Sequence, residues 1–231
     1  MIKGWVKTTL IDFPGQIASI LFLGGCNLRC PMCHNADLVL RPGTIEDIPL
    51  DDILVYLRQN KGKITGVVVS GGEPCVNPGL IPLLSKFKEM GFAVKLDTNG
   101  FYPNILGEIL AQHLIDYAAI DIKAPPEKYA LLCGLPSVDM DRFKQSLKLL
   151  IESKIDHEFR TTIVPNLINQ EDVAAIARWL PHQSHYILQQ FRPQGCLDPE
   201  FNDLIPYPSK TILQMQAQAK EWLNIVSVRG I

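Results

Sequence analysis

The chain has 231 residues, enough for one or two domains around a sizeable core. Hydrophobic residues make up 47% and charged residues 20%, a globular balance that excludes a disordered chain. Lys and Arg number 22 against 24 Asp and Glu, a net charge of −2, so no basic excess marks a nucleic-acid binder and no acidic tail a solvating role. No apolar run approaches the roughly 18 residues of a membrane span.

Near the start, Lys3 and Lys7 precede a short apolar run, Ile17 to Leu23, that ends in Gly24-Gly25-Cys26. The pattern is superficially that of a lipoprotein signal. The run is at the short end of the roughly 7–15 residues of a signal core, and Asp12, Pro14 and Gly15 stand just before it. The expectation is a cytoplasmic protein with reduced thiols. Clustered cysteines there point to metal or catalysis rather than disulfides.

In chain order, strands alternate with helices. Ile17 to Leu23 reads as a buried strand stopped by two glycines. Asp51 to Gln59, after Pro49, is a helix with Ile53, Leu54 and Leu57 on one face. Gly66 to Ser70 is a β-branched strand ended by Gly71-Gly72, and Leu80 to Met90 a helix capped by Gly91. Phe92 to Leu96 is a third strand, leading into Asp97-Thr98-Asn99-Gly100, and Asn104 to Gln112 a short helix. Tyr117 to Ile120 is a fourth strand, ending at Asp121-Ile122-Lys123. Asp141 to Glu152 is helical, His157 to Val164 a fifth strand, Gln170 to Leu180 a helix, and Tyr186 to Leu188 a sixth strand. The Pro-rich stretch Pro193 to Pro208 reads as a loop over the mouth or edge. Ser209 to Leu223 is a last helix and Ile225 to Val228 a terminal strand.

Strand–helix alternation implies parallel strands with right-handed crossovers. Six units are too few for a closed eight-stranded barrel of about 250 residues. The expected fold is therefore α/β, a partial (β/α)6 TIM-like barrel of parallel strands. No repeat or linker divides residues 1–231, which read as a single domain. In such folds chemistry gathers at the carboxyl ends of strands. The polar and Gly-rich segments fall there in turn: the Cys cluster, Gly71-Gly72-Glu73-Pro74, Asp97-Thr98-Asn99-Gly100 and Asp121-Ile122-Lys123.

Three of the six cysteines stand in Cys26-Asn27-Leu28-Arg29-Cys30-Pro31-Met32-Cys33-His34-Asn35, a C-x3-C-x2-C pattern. Three thiolates this close in sequence can wrap one soft-metal centre. Iron–sulfur clusters normally take four Cys ligands, so three leave one iron open for a substrate or cofactor. Structural zinc prefers paired C-x2-C units, and Cys75, Cys133 and Cys196 stand alone. Cys30-Pro31-Met32-Cys33-His34 also matches a c-type haem attachment motif, which leaves Cys26 unexplained. Three cysteines in one polar loop are poor core filler, whereas the three solitary ones read as buried structural thiols. Gly71-Gly72 is a common mark of a plain strand–helix turn; lacking Cβ, the two can also let backbone carbonyls approach a ligand, with Glu73 able to accept from or orient nearby donors.

The Cys pattern at the end of a first barrel strand, with Gly71-Gly72-Glu73-Pro74 after the second, resembles the radical S-adenosylmethionine (SAM) enzymes over nearly the whole chain. Cys33-His34-Asn35 is similar to the branch that makes glycyl radicals. Thr9-Leu10-Ile11-Asp12-Phe13-Pro14-Gly15, Asp121-Ile122-Lys123-Ala124-Pro125 and Gln189-Gln190-Phe191-Arg192-Pro193 resemble the anaerobic ribonucleoside-triphosphate reductase activating proteins, with pyruvate formate-lyase activating enzyme a relative in pattern. The resemblance implies that Cys26, Cys30 and Cys33 hold a [4Fe-4S] cluster whose open iron is chelated by SAM. The reduced cluster then breaks a carbon–sulfur bond, releasing methionine and a 5′-deoxyadenosyl radical that abstracts a hydrogen atom; the cofactor carries the hard chemistry and the protein positions it.

It further implies SAM contacts from Asn35, Gly71, Gly72, Glu73, Lys123 and Arg160, with Lys123 balancing a carboxylate. Asp97, Thr98 and Asp121 match positions that hold a monovalent cation beside SAM in pyruvate formate-lyase activating relatives. Some relatives carry a His near Gln190, whose hydrogen bond Gln190 would replace. His34 is expected beside the cluster but not as a ligand. The implied partner is a glycyl-radical enzyme, anaerobic ribonucleotide reductase first, with a flavodoxin- or ferredoxin-type electron donor. Asp12-Phe13-Pro14-Gly15 is expected near the target glycine loop. The alternative is a radical SAM enzyme acting on a small molecule, in the manner of 7-carboxy-7-deazaguanine synthase; a non-catalytic iron–sulfur module is disfavoured by the SAM-type motifs.

Overall fold

A computed structural model describes all 231 residues. Eight strands run β1 (Ile2–Thr9), β2 (Ala18–Leu23), β3 (Gly66–Gly71), β4 (Ala93–Thr98), β5 (Tyr117–Asp121), β6 (Asp156–Ile163), β7 (His185–Gln190) and β8 (Ile225–Arg229), and they follow one another in the sheet in chain order. The helices are α1 (Ala36–Leu40), α2 (Leu50–Gln59), α3 (Leu80–Glu89), α4 (Pro103–Ala111), α5 (Tyr129–Leu132), α6 (Met140–Glu152), α7 (Gln170–Trp179) and α8 (Ser209–Ala219). All the expected strands and helices are present, with ends moved by a few residues. No helix is long and apolar enough to cross a membrane. The chain groups into two compact units: Met1–Asn27, Asp37–Ala119 and Asp141–Asp156 in the first, and Leu28–Ala36, Ile120–Met140 and His157–Ile231 in the second.

In the first unit, β2 pairs parallel with β3, and β3 with β4. The register aligns Ala18, Gly66 and Ala93, and two residues on Ile20, Val68 and Lys95, so alternate residues share a face. One face carries Phe13, Ala18, Ile20, Val68 and Tyr117 as a buried cluster. Strand β1 departs from the expected parallel order. It lies antiparallel beside β2, fixed in part by a 2.8 Å hydrogen bond from the Trp5 indole to the buried Ser19 hydroxyl. Helix α3 buries Leu80, Leu83, Leu84 and Phe87, and α6 Phe143, Leu147 and Leu150, the i, i+3, i+4 stripe of an amphipathic helix.

In the second unit, β6, β7 and β8 are parallel, pairing Arg160 with Ile187 and Ile187 with Ser227. Glu158, Arg160 and Thr162 therefore share a face with His185, Ile187 and Gln189, and with Ser227 and Arg229. Residues of the opposite face close the core, where the Tyr186 hydroxyl donates to Thr161 at 2.8 Å. Helix α7 begins with a capping box in which Asn169 and Asp172 satisfy each other's backbone N–H groups. On the first face, the fully buried carboxylate of Glu158 receives both Arg229 guanidinium nitrogens, at 2.8 and 2.7 Å.

An enclosed carboxylate left alone is costly, so this pair predicts its own test. Arg229→Met should lower stability by roughly 2–4 kcal/mol, below the range of a fully enclosed pair because Arg229 is partly exposed. The double variant Glu158→Leu with Arg229→Met should recover most of that loss in urea denaturation.

Candidate active site

The first-unit part of the site begins where β2 and β3 end. Gly72 N–H donates to the Leu23 carbonyl at 2.9 Å and Glu73 N–H to the Gly25 carbonyl at 2.8 Å. A Cβ on Gly72 would lie 2.1 Å from the Gly25 carbonyl oxygen; Gly71, at φ +126°, would meet Leu23 backbone at 2.3 Å. No other residue fits either position without moving backbone. The two glycines thus serve first to let two strand ends touch, a structural demand the spacing alone does not disclose.

Glu73 follows, with no exposed surface. One carboxylate oxygen accepts from the Cys75 amide at 3.0 Å and the Thr98 hydroxyl at 2.8 Å; the other accepts from the Asn99 amide at 2.6 Å. Burial pushes its carboxyl above the usual range, against the pull of these three donors. Cys75 is buried beside it, its thiol raised by burial and then by the Glu73 charge. Asn99 reaches back, its amide 2.7 Å from the Asn27 side-chain oxygen and 3.9 Å from the Cys26 sulfur. Asp97 pairs at 2.7 Å with Lys95, whose side chain is 1% exposed. Lys95 lies inside a strand that reads as apolar, and a lone Lys within such a run is the sequence signal that could have found it.

The second-unit part contains Cys30 and Cys33, joined by a turn in which Cys33 N–H donates to the Cys30 carbonyl at 3.0 Å. The segment after β7 grips this loop. Leu197 N–H donates to the Cys33 carbonyl and Asp198 N–H to the Pro31 carbonyl, both at 2.9 Å. The His34 ring contacts the Arg192 carbonyl at 2.6 Å and stacks on Phe191 with centroids 5.8 Å apart. His34 thus braces the cysteine loop against the segment after β7. The stretch expected as a plain loop contains a 3-10 turn, Pro199–Asp203.

The Cys30 thiol is pulled down to about 7, chiefly by a hydrogen bond from the Cys133 side chain, against burial and with help from the Lys123 charge. Cys33 is raised by burial. None of the six cysteines is in a disulfide.

Beyond Cys30 runs a ladder of alternating charge. Lys123 donates to Asp121 at 2.9 Å, Arg160 donates to the other Asp121 oxygen at 2.9 Å, and Arg160 stands 3.9 Å from Glu158, the partner of Arg229. Desolvation pushes Asp121 up, but Arg160 and Lys123 outweigh it and hold the carboxyl well below the usual carboxylate range. Desolvation likewise pulls Lys123 down, and the Asp121 charge more than reverses it. Gln190 donates to the Tyr207 carbonyl at 2.8 Å, and its buried side-chain oxygen has no partner.

The predicted residues therefore fall into two sets. Cys26, Gly71, Gly72, Glu73, Asp97 and Thr98 belong to the first unit, and Cys30, Cys33, Asn35, Asp121, Lys123 and Arg160 to the second. Within the second, Asp121 gathers Lys123 and Arg160; within the first, Glu73 gathers Thr98, and Asp97 turns to Lys95. Asp97 and Asp121 each already face an internal cation within their own unit.

Comparison with known proteins bears on these motifs. Residues 20–180 match the family model of the Radical SAM superfamily. Over its whole length the chain is 33% identical to a candidate glycyl-radical enzyme activating enzyme of Methanocaldococcus jannaschii, covering 96% of that protein. It is 31% identical over 71% of its length to the pyruvate formate-lyase-activating enzyme of Clostridium pasteurianum, covering 68% of it. Among solved structures, Streptococcus suis SuiB bound to its precursor peptide SuiA superposes on 91% of the chain with a TM-score of 0.69 at 19% identity, a likeness of fold. The chain spans about half the length of SuiB, 48%.

The Asp121 ladder sets a pH dependence. Asp121 titrates below its unfolded value, so its stabilisation is full above about pH 4 and is lost as pH falls further; Lys123 titrates above its unfolded value, so its share persists up to about pH 10. Asp121→Asn should lower cluster-free stability by about 1–2 kcal/mol, a modest figure because both side chains are partly solvated. In melting curves the gap from wild type should be constant between about pH 5 and 9 and should close below about pH 4.

Proposed function

We propose a function from one premise: the chain belongs to the radical SAM superfamily, and within it to the glycyl-radical enzyme activating enzymes. The reading is that it generates a glycyl radical on a partner enzyme, anaerobic ribonucleotide reductase first, with an electron from a flavodoxin- or ferredoxin-type donor. The observation that carries it is the likeness to an activating enzyme along the full chain, rather than across a shared core alone.

The family's cofactors are a [4Fe-4S] cluster and SAM, and the residues present suit them. Three thiols within eight residues, none in a disulfide, meet the cluster's demand for sulfur. At Cys30 a donor and a cation favour the thiolate, the form that binds metal. Cys26, Cys30 and Cys33 would hold the cluster, leaving one iron open to SAM. When bound, the cluster supplies one electron that splits SAM into methionine and a hydrogen-abstracting radical.

The chain's own residues bind and orient. Gly71 and Gly72 keep the strand end bare of side chains, and Glu73 fixes it. Lys123 and Arg160 offer positive charge for the SAM carboxylate, and Asn35 a polar contact next to the last ligand. Asp97, Thr98 and Asp121 would complete a monovalent-cation position. Residues 1–231 would act as one catalytic domain.

A protein target is supported by the loop before β2. Phe13 is buried and packs on Tyr117 at 5.9 Å, while the Thr9 hydroxyl donates to Asp12. Between these anchors Leu10 and Ile11 stand 72% and 83% exposed. A pinned loop with two bare aliphatic side chains suits a polypeptide partner, whose target glycine has no side chain to obstruct entry.

Reduced enzyme, SAM and the candidate reductase, mixed anaerobically, should yield a glycyl doublet in electron paramagnetic resonance. Asp12→Ala should cut the doublet at least severalfold while changing uncoupled SAM cleavage less. No doublet with any cognate glycyl-radical enzyme, together with 5′-deoxyadenosine release driven stoichiometrically by a small molecule, would replace this reading with the small-molecule one.

A further inference from the structure

No motif assigns a task to Asn99, a residue just past β4 that is 6% exposed. Its polar groups are nonetheless pinned. The backbone N–H donates to one oxygen of the buried Glu73 carboxylate at 2.6 Å. The side-chain oxygen accepts from the Phe101 amide at 3.2 Å. That bond settles which end of the carboxamide is the NH2 group, because an amide donor needs an oxygen opposite it. The NH2 group then faces the cysteine loop. It lies 2.7 Å from the Asn27 side-chain oxygen and 3.9 Å from the Cys26 sulfur, within the longer reach of a sulfur acceptor. Gly72 confines Cys26 as well, since a Cβ on Gly72 would stand 3.3 Å from the Cys26 Cβ. All of these groups belong to the first unit.

An NH2 group carries two hydrogens, so the bond to Asn27 leaves a second N–H for the sulfur. As a thiol, Cys26 can aim its own S–H at the Asn27 oxygen, 3.9 Å away. As a metal ligand it is a thiolate, which has no proton to give, and the Asn99 N–H is the group suited to it. Reduction of an iron–sulfur cluster adds negative charge, and hydrogen bonds to its sulfurs help set the potential. A donor at a ligand sulfur therefore stabilises the reduced state more than the oxidised one. Asn99 is shielded from water, where such a bond counts for more.

We propose that Asn99 is a positioning residue: its carboxamide fixes Cys26 and donates an N–H to the Cys26 sulfur, raising the reduction potential of a cluster bound there. The role rests on the function proposed above, because it requires a cluster on Cys26. It lies outside the three-cysteine motif and outside the residues assigned to SAM. It also links the buried Glu73 carboxylate to the first ligand through a single side chain.

The test is a potentiometric titration of the reconstituted holoenzyme, followed by electron paramagnetic resonance, with iron content measured alongside. Asn99→Leu keeps the branched shape and removes the donor; Asn99→Ala removes the donor without adding bulk. Asn27→Ala breaks the bond between the two amides but leaves the Asn99 N–H facing the sulfur. The Leu and Ala variants at position 99 should show a three- to tenfold shift against reduction, a midpoint lower by about 30–60 mV for one electron, at wild-type iron content. Asn27→Ala should stay close to wild type. If Leu disturbs the loop and loses iron, Ala reads the same quantity. Unchanged potentials in both position-99 variants overturn the role of Asn99. An equal shift in Asn27→Ala also overturns it, because that marks a loosened loop and not the lost N–H. Loss of iron from both position-99 variants marks a purely structural residue and overturns the donor role. A wild-type protein with no reducible cluster overturns the proposed function, and this role with it.

Discussion

A carboxylate without access to water holds the ends of three neighbouring strands. Glu73 takes an amide from Cys75 just beyond β3 and a hydroxyl and an amide from Thr98 and Asn99 at the end of β4, while its own N–H is spent on Gly25 just beyond β2. Burying a carboxylate is unfavourable unless donors surround it, and three do. The arrangement exists only because Gly71 and Gly72 carry no side chain where β2 and β3 converge. Asn99, placed by this knot, reaches Asn27 and the Cys26 sulfur. The position of the first cysteine thus depends on the buried Glu73 carboxylate.

The second unit uses the opposite device, an open ladder of charges. Lys123, Asp121, Arg160, Glu158 and Arg229 alternate in sign, and each carboxylate is shared between two cations. Sharing offsets the cost of leaving water, and it fixes Asp121, Arg160 and Glu158 on β5 and β6 as one network. The residues proposed to meet SAM are therefore already ordered by one another. A ligand carboxylate arriving at Lys123 or Arg160 joins a set of charges in place, which limits the reorganisation that binding requires.

Much of this was legible before the structure. Long periodic stretches such as Leu80 to Met90 and Gln170 to Leu180 fold as read, because one apolar stripe leaves few alternatives. Strand β1 was not read: it is half exposed, interrupted by Lys3, Gly4 and Lys7, and shows no clean alternation. Helices α1 and α5 were missed because five and four residues hold too little of a period. The motif cysteines and glycines announced themselves by spacing. Glu158 and Arg229 did not, since their significance lies in partners the sequence does not point to. Arg229 and Glu158 are separated by 71 residues and meet only through the fold.

The central claim is a three-cysteine cluster with one iron open to SAM. It is tested most directly by low-temperature electron paramagnetic resonance of the anaerobically reconstituted, reduced protein, recorded with and without saturating SAM. The account predicts a [4Fe-4S] signal that Cys30→Ala abolishes and that SAM alters, because SAM replaces the occupant of the open iron. A colourless protein carrying zinc alone, or a cluster whose spectrum SAM leaves unchanged, would contradict it.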